Sequence, residues 1–390
     1  MVKTTSQDKM KIKNYTKILE VVMANPGINR KKISPLTHLS NQTLSNLVKD
    51  LSDFGYILEF PLEGPLGSGR KPIGLKLNYK AFLIISVEFT YNGLGVYLNT
   101  CDGEVLQYES YVLEKGFDVV AIIKEGIEKA LEHALGRVFA IVMSAEGIID
   151  EGGGKLEHIM ALSLKHVDLA TELAYLNLPF FLLNDTNLIC HYVNLTNPKA
   201  HNFMVVKLDA GIGSSIALDR HIQQTSNNNM PGKLGHLKVI HSDEDVLCWC
   251  GGKNCLSKFI SREYLEAKFN CSYEEALLLL RDEQASAFSR RITTYLSPIL
   301  TNITILLGIE KIYAIGKIVD VLGSEFIRDL DLHVASSIPS WVNFLGIEKS
   351  HIPSIPEQCS SYFLNYFLKN ILSYLEVVDE TPFKVLGKLK

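Results

Sequence analysis

The sequence predicts an α/β protein: a small helical head closed by a β-hairpin, followed by two α/β lobes. Three observations predict it. The first 78 residues hold three short runs of helical periodicity and then a Gly/Pro-rich hairpin pattern. From Ala81 short apolar strands alternate with amphipathic helices, and a second such series opens at Phe203. A chain of 390 residues has room for two or three domains, and the pattern changes put them at 1–78, 79–200 and 201–390.

In the head, Tyr15, Ile18, Leu19, Val22 and Met23 recur at helical spacing over Asn14–Ala24, and Asn25-Pro26-Gly27 stops the run. A second short helix is expected over Arg30–Leu36. Ser40 then caps a third, from Asn41 to about Phe54, with Leu44, Leu47, Val48 and Leu51 on its apolar side. Its other face carries Asn41, Gln42, Thr43, Ser45, Asn46 and Lys49, short polar groups that reach base edges and a cation for phosphate. Strand patterns at Tyr56–Phe60 and Ile73–Leu77 flank the loop Gly64–Pro72, whose tip reads Gly67-Ser68-Gly69-Arg70-Lys71-Pro72. Three helices and a hairpin make a winged helix-turn-helix. Arg70 and Lys71 suit the narrow minor groove of A·T-rich DNA.

Charge agrees with this reading. Residues 1–80 hold 13 Lys/Arg against 6 Asp/Glu, a surplus of +7, whereas the rest holds 26 against 37, or −11. A basic head on an acidic body is expected to meet a polyanion, here double-stranded DNA. No apolar run is long enough to span a bilayer, and Met1–Lys13 is polar and lysine-rich without an apolar core, so the expectation is a cytoplasmic protein with no membrane partner.

In the body, strands are expected at Phe82–Val87, Gly95–Asn99 and Val105–Leu113, with Asp102-Gly103 turning between the last two. A helix over Val119–Leu135, strands at Val138–Met143 and Pro179–Leu183, and then Asn184-Asp185 complete the first series. The second opens with the strand Phe203–Leu208 and ends in helices such as Glu274–Leu280 and Arg290–Leu307, whose several apolar faces suit a core or a homo-oligomer interface.

Seven cysteines are too few for a disulfide scaffold, yet Cys248, Cys250 and Cys255 fall within eight positions. Three thiolates and one imidazole close a tetrahedral zinc site with no open position, which makes it structural. His236 and His241 are both near enough in sequence to be the fourth ligand.

The cluster, with Pro231-Gly232-Lys233-Leu234-Gly235-His236 before it, resembles the signature of the ROK family of repressors, open reading frames and sugar kinases. Asn184-Asp185-Thr186-Asn187 resembles the family's Asn-Asp-Ala-Asn motif, and Asp209-Ala210-Gly211-Ile212-Gly213 its Gly-Thr-Gly-Ile-Gly loop. The head, with Gly69-Arg70-Lys71-Pro72, resembles the winged helix of the repressor branch. The resemblance implies a two-lobed actin-like ATPase (sugar-kinase-like) fold with sugar bound between lobes. It also implies zinc on His236, Cys248, Cys250 and Cys255, and a ligand site including Asn184, Asp185, Lys233 and His236.

In the family's kinases the residue at Asp185 would take a proton from a sugar hydroxyl. This chain departs from the kinase pattern around the phosphates. Asp-x-Gly-x-Thr is replaced by Glu88-Phe89-Thr90-Tyr91-Asn92, Gly-Gly by Gly316-Lys317, and the later loop begins Asp209-Ala210. ATP binding is therefore not expected, and Asp185 is expected as a hydroxyl anchor or a strand-end cap. The sugar side departs too: the family's Glu is Lys233, another Glu is Ser257, and a sugar-binding Asn falls near Ala161. Lys233 either pairs with a phosphate or carboxylate on the ligand or lies in solvent.

The function expected is a sugar- or sugar-derivative-responsive transcriptional repressor of carbohydrate genes. As a homodimer or higher oligomer it would hold two recognition helices one turn apart on a pseudo-palindromic operator. The alternatives are a sugar kinase with a DNA-binding head and a DNA-binding protein whose body only dimerises.

Overall fold

The computed structural model describes residues 6–62, 72–90, 93–114, 116–159, 163–224, 232–239, 245–281 and 285–370. The loop tip with Arg70 and Lys71, and also His241, Ala161 and Tyr91, lie outside the described residues. The chain divides into two compact units. One comprises Met1–Met143, Glu172–Phe181 and Ile355–Lys390; the other comprises Ser144–Thr171 and Leu182–Ser354.

The head occupies the start of the first unit. Its helices are Ser6–Ala24, Arg30–Thr37 and Asn41–Asp53. The Asn29 carboxamide caps the second by accepting from the Lys32 N–H at 3.1 Å, and the Ser40 hydroxyl caps the third by accepting from Thr43 N–H at 3.2 Å. Between the second and third, His38 takes a left-handed conformation at φ 57°, which turns the chain sharply. Strands Ile57–Pro61 and Ile73–Leu77 pair antiparallel with Glu59 opposite Leu75. Ile28 adds a single bridge to Leu75, so the hairpin is stitched to the first inter-helix turn. Gly27 makes that turn at φ +89°. Tyr15, Ile18, Leu19, Val22, Ile33, Leu44, Val48 and Leu51 are buried in the head core, which is the apolar periodicity of the sequence made physical.

After the head comes a five-stranded sheet in the order Phe180–Asn184, Val138–Ala145, Leu83–Phe89, Gly93–Thr100, Val105–Val112. Val138–Ala145 is buried at every position and Leu83–Phe89 at all but one, so both sheet faces are covered around them. The helix Val119–Glu132 packs on the strands Gly93–Thr100 and Val105–Val112, and the helix Ile355–Lys369 on Leu83–Phe89. This last helix also reaches the head. Tyr56 stacks on Phe82 with ring centres 5.0 Å apart, Phe367 meets both rings edge-on at 5.5 and 5.0 Å, and the Thr16 hydroxyl donates to the Leu368 carbonyl at 3.0 Å. The sequence reading had no element over Ile355–Lys369.

The second unit is built on another five-stranded sheet, ordered His221–Ile222, Ile212–Leu218, Phe203–Leu208, Lys311–Ile315, Ile347–Lys349. Phe203–Leu208 runs antiparallel to Ile212–Leu218 and parallel to Lys311–Ile315. Alternation sorts its side chains. Phe203 and Val205 pack with Ile189, Cys190 and Val193 of the helix Asp185–Thr196. Met204, Val206 and Leu208 enter a larger core with the helices Ala285–Leu307 and Lys317–Ser337. A separate antiparallel sheet, Ile148–Asp150, Lys155–Ile159 and Leu164–Asp168, belongs to the same unit and was not foreseen. Among the described residues no helix is long and apolar enough to cross a membrane.

Phe367→Ala should cost about 3–5 kcal/mol, the usual penalty for truncating a buried aromatic. Urea denaturation followed by near-UV circular dichroism would report it as a fall in midpoint.

Candidate functional site

Two sites follow from this frame: an exposed helix face on the head and a cavity in the second unit. On the helix Asn41–Asp53 the side chains of Asn41, Gln42, Thr43, Ser45, Asn46 and Lys49 are exposed, while Leu44, Leu47, Val48 and Leu51 are buried. The two faces therefore separate as the sequence predicts. Asp50 does not join the polar display. Its carboxylate accepts from the Tyr15 hydroxyl at 2.6 Å and pairs with Lys11 at 3.1 Å, which braces the first helix against the third.

The cavity has a volume of about 220 Å³ and is lined by Glu146, Gly147, Asn184, Asp185, Lys207, Gly211, Lys233, His236, Trp249 and Ser257, among others. All four residues expected to bind ligand, Asn184, Asp185, Lys233 and His236, are brought together here. Local structure explains their placement. Asn184 ends a strand and caps the helix Asp185–Thr196, its side chain accepting from the Thr186 N–H at 3.2 Å. Glu151 accepts from the Asn184 N–H and from the Asn187 carboxamide, both at 2.8 Å, and fixes that strand end.

Three residues that shape the cavity were missed by the sequence reading: Glu146, Lys207 and Trp249. Lys207 lies beneath Asp185, its ammonium 2.7 Å from Asp185 Oδ2 and 3.5 Å from Glu146 Oε1. Burial works against the Lys207 ammonium, but the carboxylates of Asp185, Glu146 and Asp209 outweigh it and raise its pKa well above the ordinary lysine value. Burial raises the Glu146 carboxyl above its ordinary value, against the pull of Lys207, with Asp185 and Asp209 adding to the rise. A lone lysine inside the apolar strand Phe-Met-Val-Val-Lys-Leu was the available signal, since buried lysines require a partner. Lys233 is half-buried, and burial lowers its pKa against the opposing attraction of Asp185 and Glu151.

Beside the cavity, one donor atom from each of His236, Cys248, Cys250 and Cys255 lies within 4.8 Å of the others. Cys248 Sγ is 3.7 Å from His236 Nδ1, and Cys250 Sγ is 3.6 Å from Cys255 Sγ. Tetrahedral metal–sulfur bonds of about 2.3 Å require sulfur separations near such values, so this donor set can hold a metal ion. Among the described residues His236 supplies the imidazole of the cluster, and His241 lies outside them. Burial, then Lys233 and Lys238, hold its pKa below the ordinary histidine value, favouring the neutral imidazole that a metal binds. The turn around the thiols is tied down by Cys248 N–H donating to Gly252 O at 2.8 Å and Leu256 N–H donating to Leu237 O at 2.9 Å. Trp249, between two of the cysteines, meets the His236 ring edge-on at 4.9 Å.

The loop expected to face a polyphosphate is filled from within. The Asp209 carboxylate accepts from the Ala210 N–H at 2.9 Å, the Tyr273 hydroxyl at 3.2 Å and the Lys317 N–H at 3.4 Å. The last is the first amide of the helix Lys317–Ser337, the kind of donor that otherwise serves a phosphate. Gly316 precedes it at φ +113°, and a Cβ there would stand 2.1 Å from the Leu208 carbonyl oxygen.

A winged helix-turn-helix head and an actin-like, sugar-kinase-type α/β body define the class of fold. The ROK family profile matches residues 86–331, more than half of the chain, and the chain belongs to the ROK family. It is 26% identical over 264 residues to a putative xylose repressor of Caldicellulosiruptor sp. (strain Rt8B.4), covering 65% of this chain and 64% of that protein. It is also 26% identical over 235 residues to the xylose repressor of Staphylococcus xylosus, covering 59% of this chain and 61% of that one. The alignment thus spans less than two thirds of these relatives' length. Among solved structures, a ROK family transcriptional regulator described as a homologue of the Escherichia coli Mlc protein superposes with a TM-score of 0.78. That match has 19% identity and covers 94% of this chain and 99% of that one. A ROK hexokinase from Thermus thermophilus gives a TM-score of 0.58 at 16% identity, covering 73% and 99%.

Lys207→Met should cost about 3–5 kcal/mol, because it strands two carboxylates in a buried site. Adding Asp185→Asn and Glu146→Gln to that variant should recover much of the loss, and thermal unfolding of the three proteins measures both steps.

Proposed function

We propose that the chain is a DNA-binding transcriptional repressor of carbohydrate-metabolism genes, and that a sugar or sugar derivative in the second unit's cavity controls it. The observation that carries the proposal is the helix Asn41–Asp53, capped, buried on one side, and displaying short polar side chains and a lysine on the other. The repressor names of the relatives support the same reading. Asn41, Gln42, Thr43, Ser45 and Asn46 would read base edges, with Lys49, Arg70 and Lys71 on phosphates or in the minor groove. A homodimer would match a pseudo-palindromic operator.

Sugar phosphorylation is the competing activity in this family, and two observations disfavour it. Asp185, the candidate base, is already engaged by the Lys207 ammonium at 2.7 Å. The Asp209 carboxylate occupies amide donors that a polyphosphate would need, and its charge would repel one. Accordingly, isothermal titration with Mg-ATP should give no binding heat, and saturable binding would reinstate the kinase reading.

The metal proposed for His236, Cys248, Cys250 and Cys255 is zinc, held in a closed structural set. It would fix the turn that carries Trp249 and join it to Lys233 and His236 in the ligand site. Purified protein should release one zinc per chain to a strong chelator, and Cys248→Ser should lose the metal and lower the melting temperature.

DNA recognition is tested by selecting duplexes from a random library and measuring affinity by fluorescence anisotropy. Asn46→Ala should cost about 1–3 kcal/mol and relax one base position, whereas Lys49→Ala should weaken all sequences alike and reduce the salt slope by about 1. Equal affinity of both variants and the parent protein for the selected duplex would overturn the assignment.

A further inference from the structure

We infer that the cavity of the second unit takes an anionic sugar derivative, a sugar phosphate or a sugar acid, with the anionic group on Lys233 and the ring against Trp249. This rests on the sugar-responsive reading above and names the ligand class of that site.

The argument is one of charge already committed. Four ordinarily charged side chains other than histidine line the cavity: Glu146, Asp185, Lys207 and Lys233. Both carboxylates are directed at the Lys207 ammonium, at 3.5 and 2.7 Å. Lys207 itself is held among them, with only 16% of its side chain exposed. These three form a closed group. It engages one oxygen of each carboxylate, and neither Asp185 nor Glu146 forms an ion pair with Lys233.

Lys233 is the cation left over. Its one described hydrogen bond is to the Gly147 carbonyl at 3.5 Å, the outer limit of such a contact, and among the described residues it forms no ion pair. A half-buried ammonium facing a cavity gains more from a phosphate or carboxylate than from a neutral hydroxyl, because charge-assisted hydrogen bonds are roughly twice as strong. Another lining residue supplies the rest of the recognition. Trp249 lines the same cavity, 39% exposed, and its ring is held edge-on to His236 at 4.9 Å and His158 at 5.8 Å. An indole face of this kind packs on the C–H face of a pyranose, leaving the ring's polar edge for Asn184 and Asp185.

Trp249 also makes the binding visible, since the other tryptophan, Trp341, is 77% exposed and outside the cavity lining. In full-length metal-loaded Trp341→Phe protein, the emission of Trp249 would be titrated with D-glucose, D-glucose 6-phosphate, N-acetylglucosamine, its 6-phosphate, D-glucuronate, D-xylose and inorganic phosphate. At least one sugar phosphate or sugar acid should quench or shift the emission with an affinity at least about tenfold above that of its neutral parent and of inorganic phosphate. Lys233→Gln should remove that preference, and Lys233→Arg should keep it. Arg at 233 guards against a Gln variant that merely misfolds, as does a far-UV spectrum unchanged from the parent protein. A neutral sugar binding as tightly as its phosphate, inorganic phosphate binding as tightly as any sugar phosphate, or no response to any anionic probe would each overturn the inference. Release of selected operator DNA by a neutral sugar would overturn it while leaving the repressor reading intact. Failure to bind any duplex would sink the repressor reading and leave this one to stand or fall on the titration.

Discussion

The ion pairs around Lys207 are the constraint on which the second unit depends. A lysine at the penultimate position of the strand Phe203–Leu208 brings a charge to the edge of an apolar core. Solvation lost there must be replaced by opposite charge, and Asp185 at 2.7 Å with Glu146 at 3.5 Å supplies it. The requirement links three chain segments: the exit of the strand Val138–Ala145, the start of the helix Asp185–Thr196 and the strand Phe203–Leu208. The cavity exists where they converge. Asp185 is thereby part of what holds the site together.

Much of this was legible in the sequence because local rules dominate the elements concerned. The helix Asn41–Asp53 begins where its Ser40 cap predicts and presents the expected faces, since capping and 3.6-residue periodicity act within a few residues. The strand Phe203–Leu208 was placed to the residue. The three thiols were legible from spacing, although bringing His236 to them needed the tertiary path. What escaped was of longer range. The Lys207 pairing joins positions 22 and 61 residues apart, which no window of sequence displays. The helix Ile355–Lys369 went unassigned because its buried side chains include Gln358, Ser360 and Ser361, polar groups that blur an apolar stripe. The sheet over residues 148–168 was hidden for the opposite reason: its strands are short and half-exposed, with Gly152-Gly153-Gly154 between the first two.

The carboxylates of Asp185 and Asp209 are satisfied by different means. Asp185 is neutralised by a neighbouring ammonium and stays at the cavity wall. Asp209 turns inward and satisfies backbone amides, doing for the helix Lys317–Ser337 what an N-cap does elsewhere. One retains a binding surface and the other removes one.

The contact between Thr16 and Leu368 joins residues 352 positions apart, and the rings of Tyr56, Phe82 and Phe367 extend that seam. On a growing chain residues 6–62 emerge well before Ile355–Lys369, so the surface around Tyr56 is completed only when that helix has been made. A chain cut short before residue 355 would leave Tyr56 uncovered by Phe367, an apolar surface on the head. Synthesis as far as Leu368 becomes, in this fold, a condition on the quality of the head rather than only on the presence of the helix Ile355–Lys369.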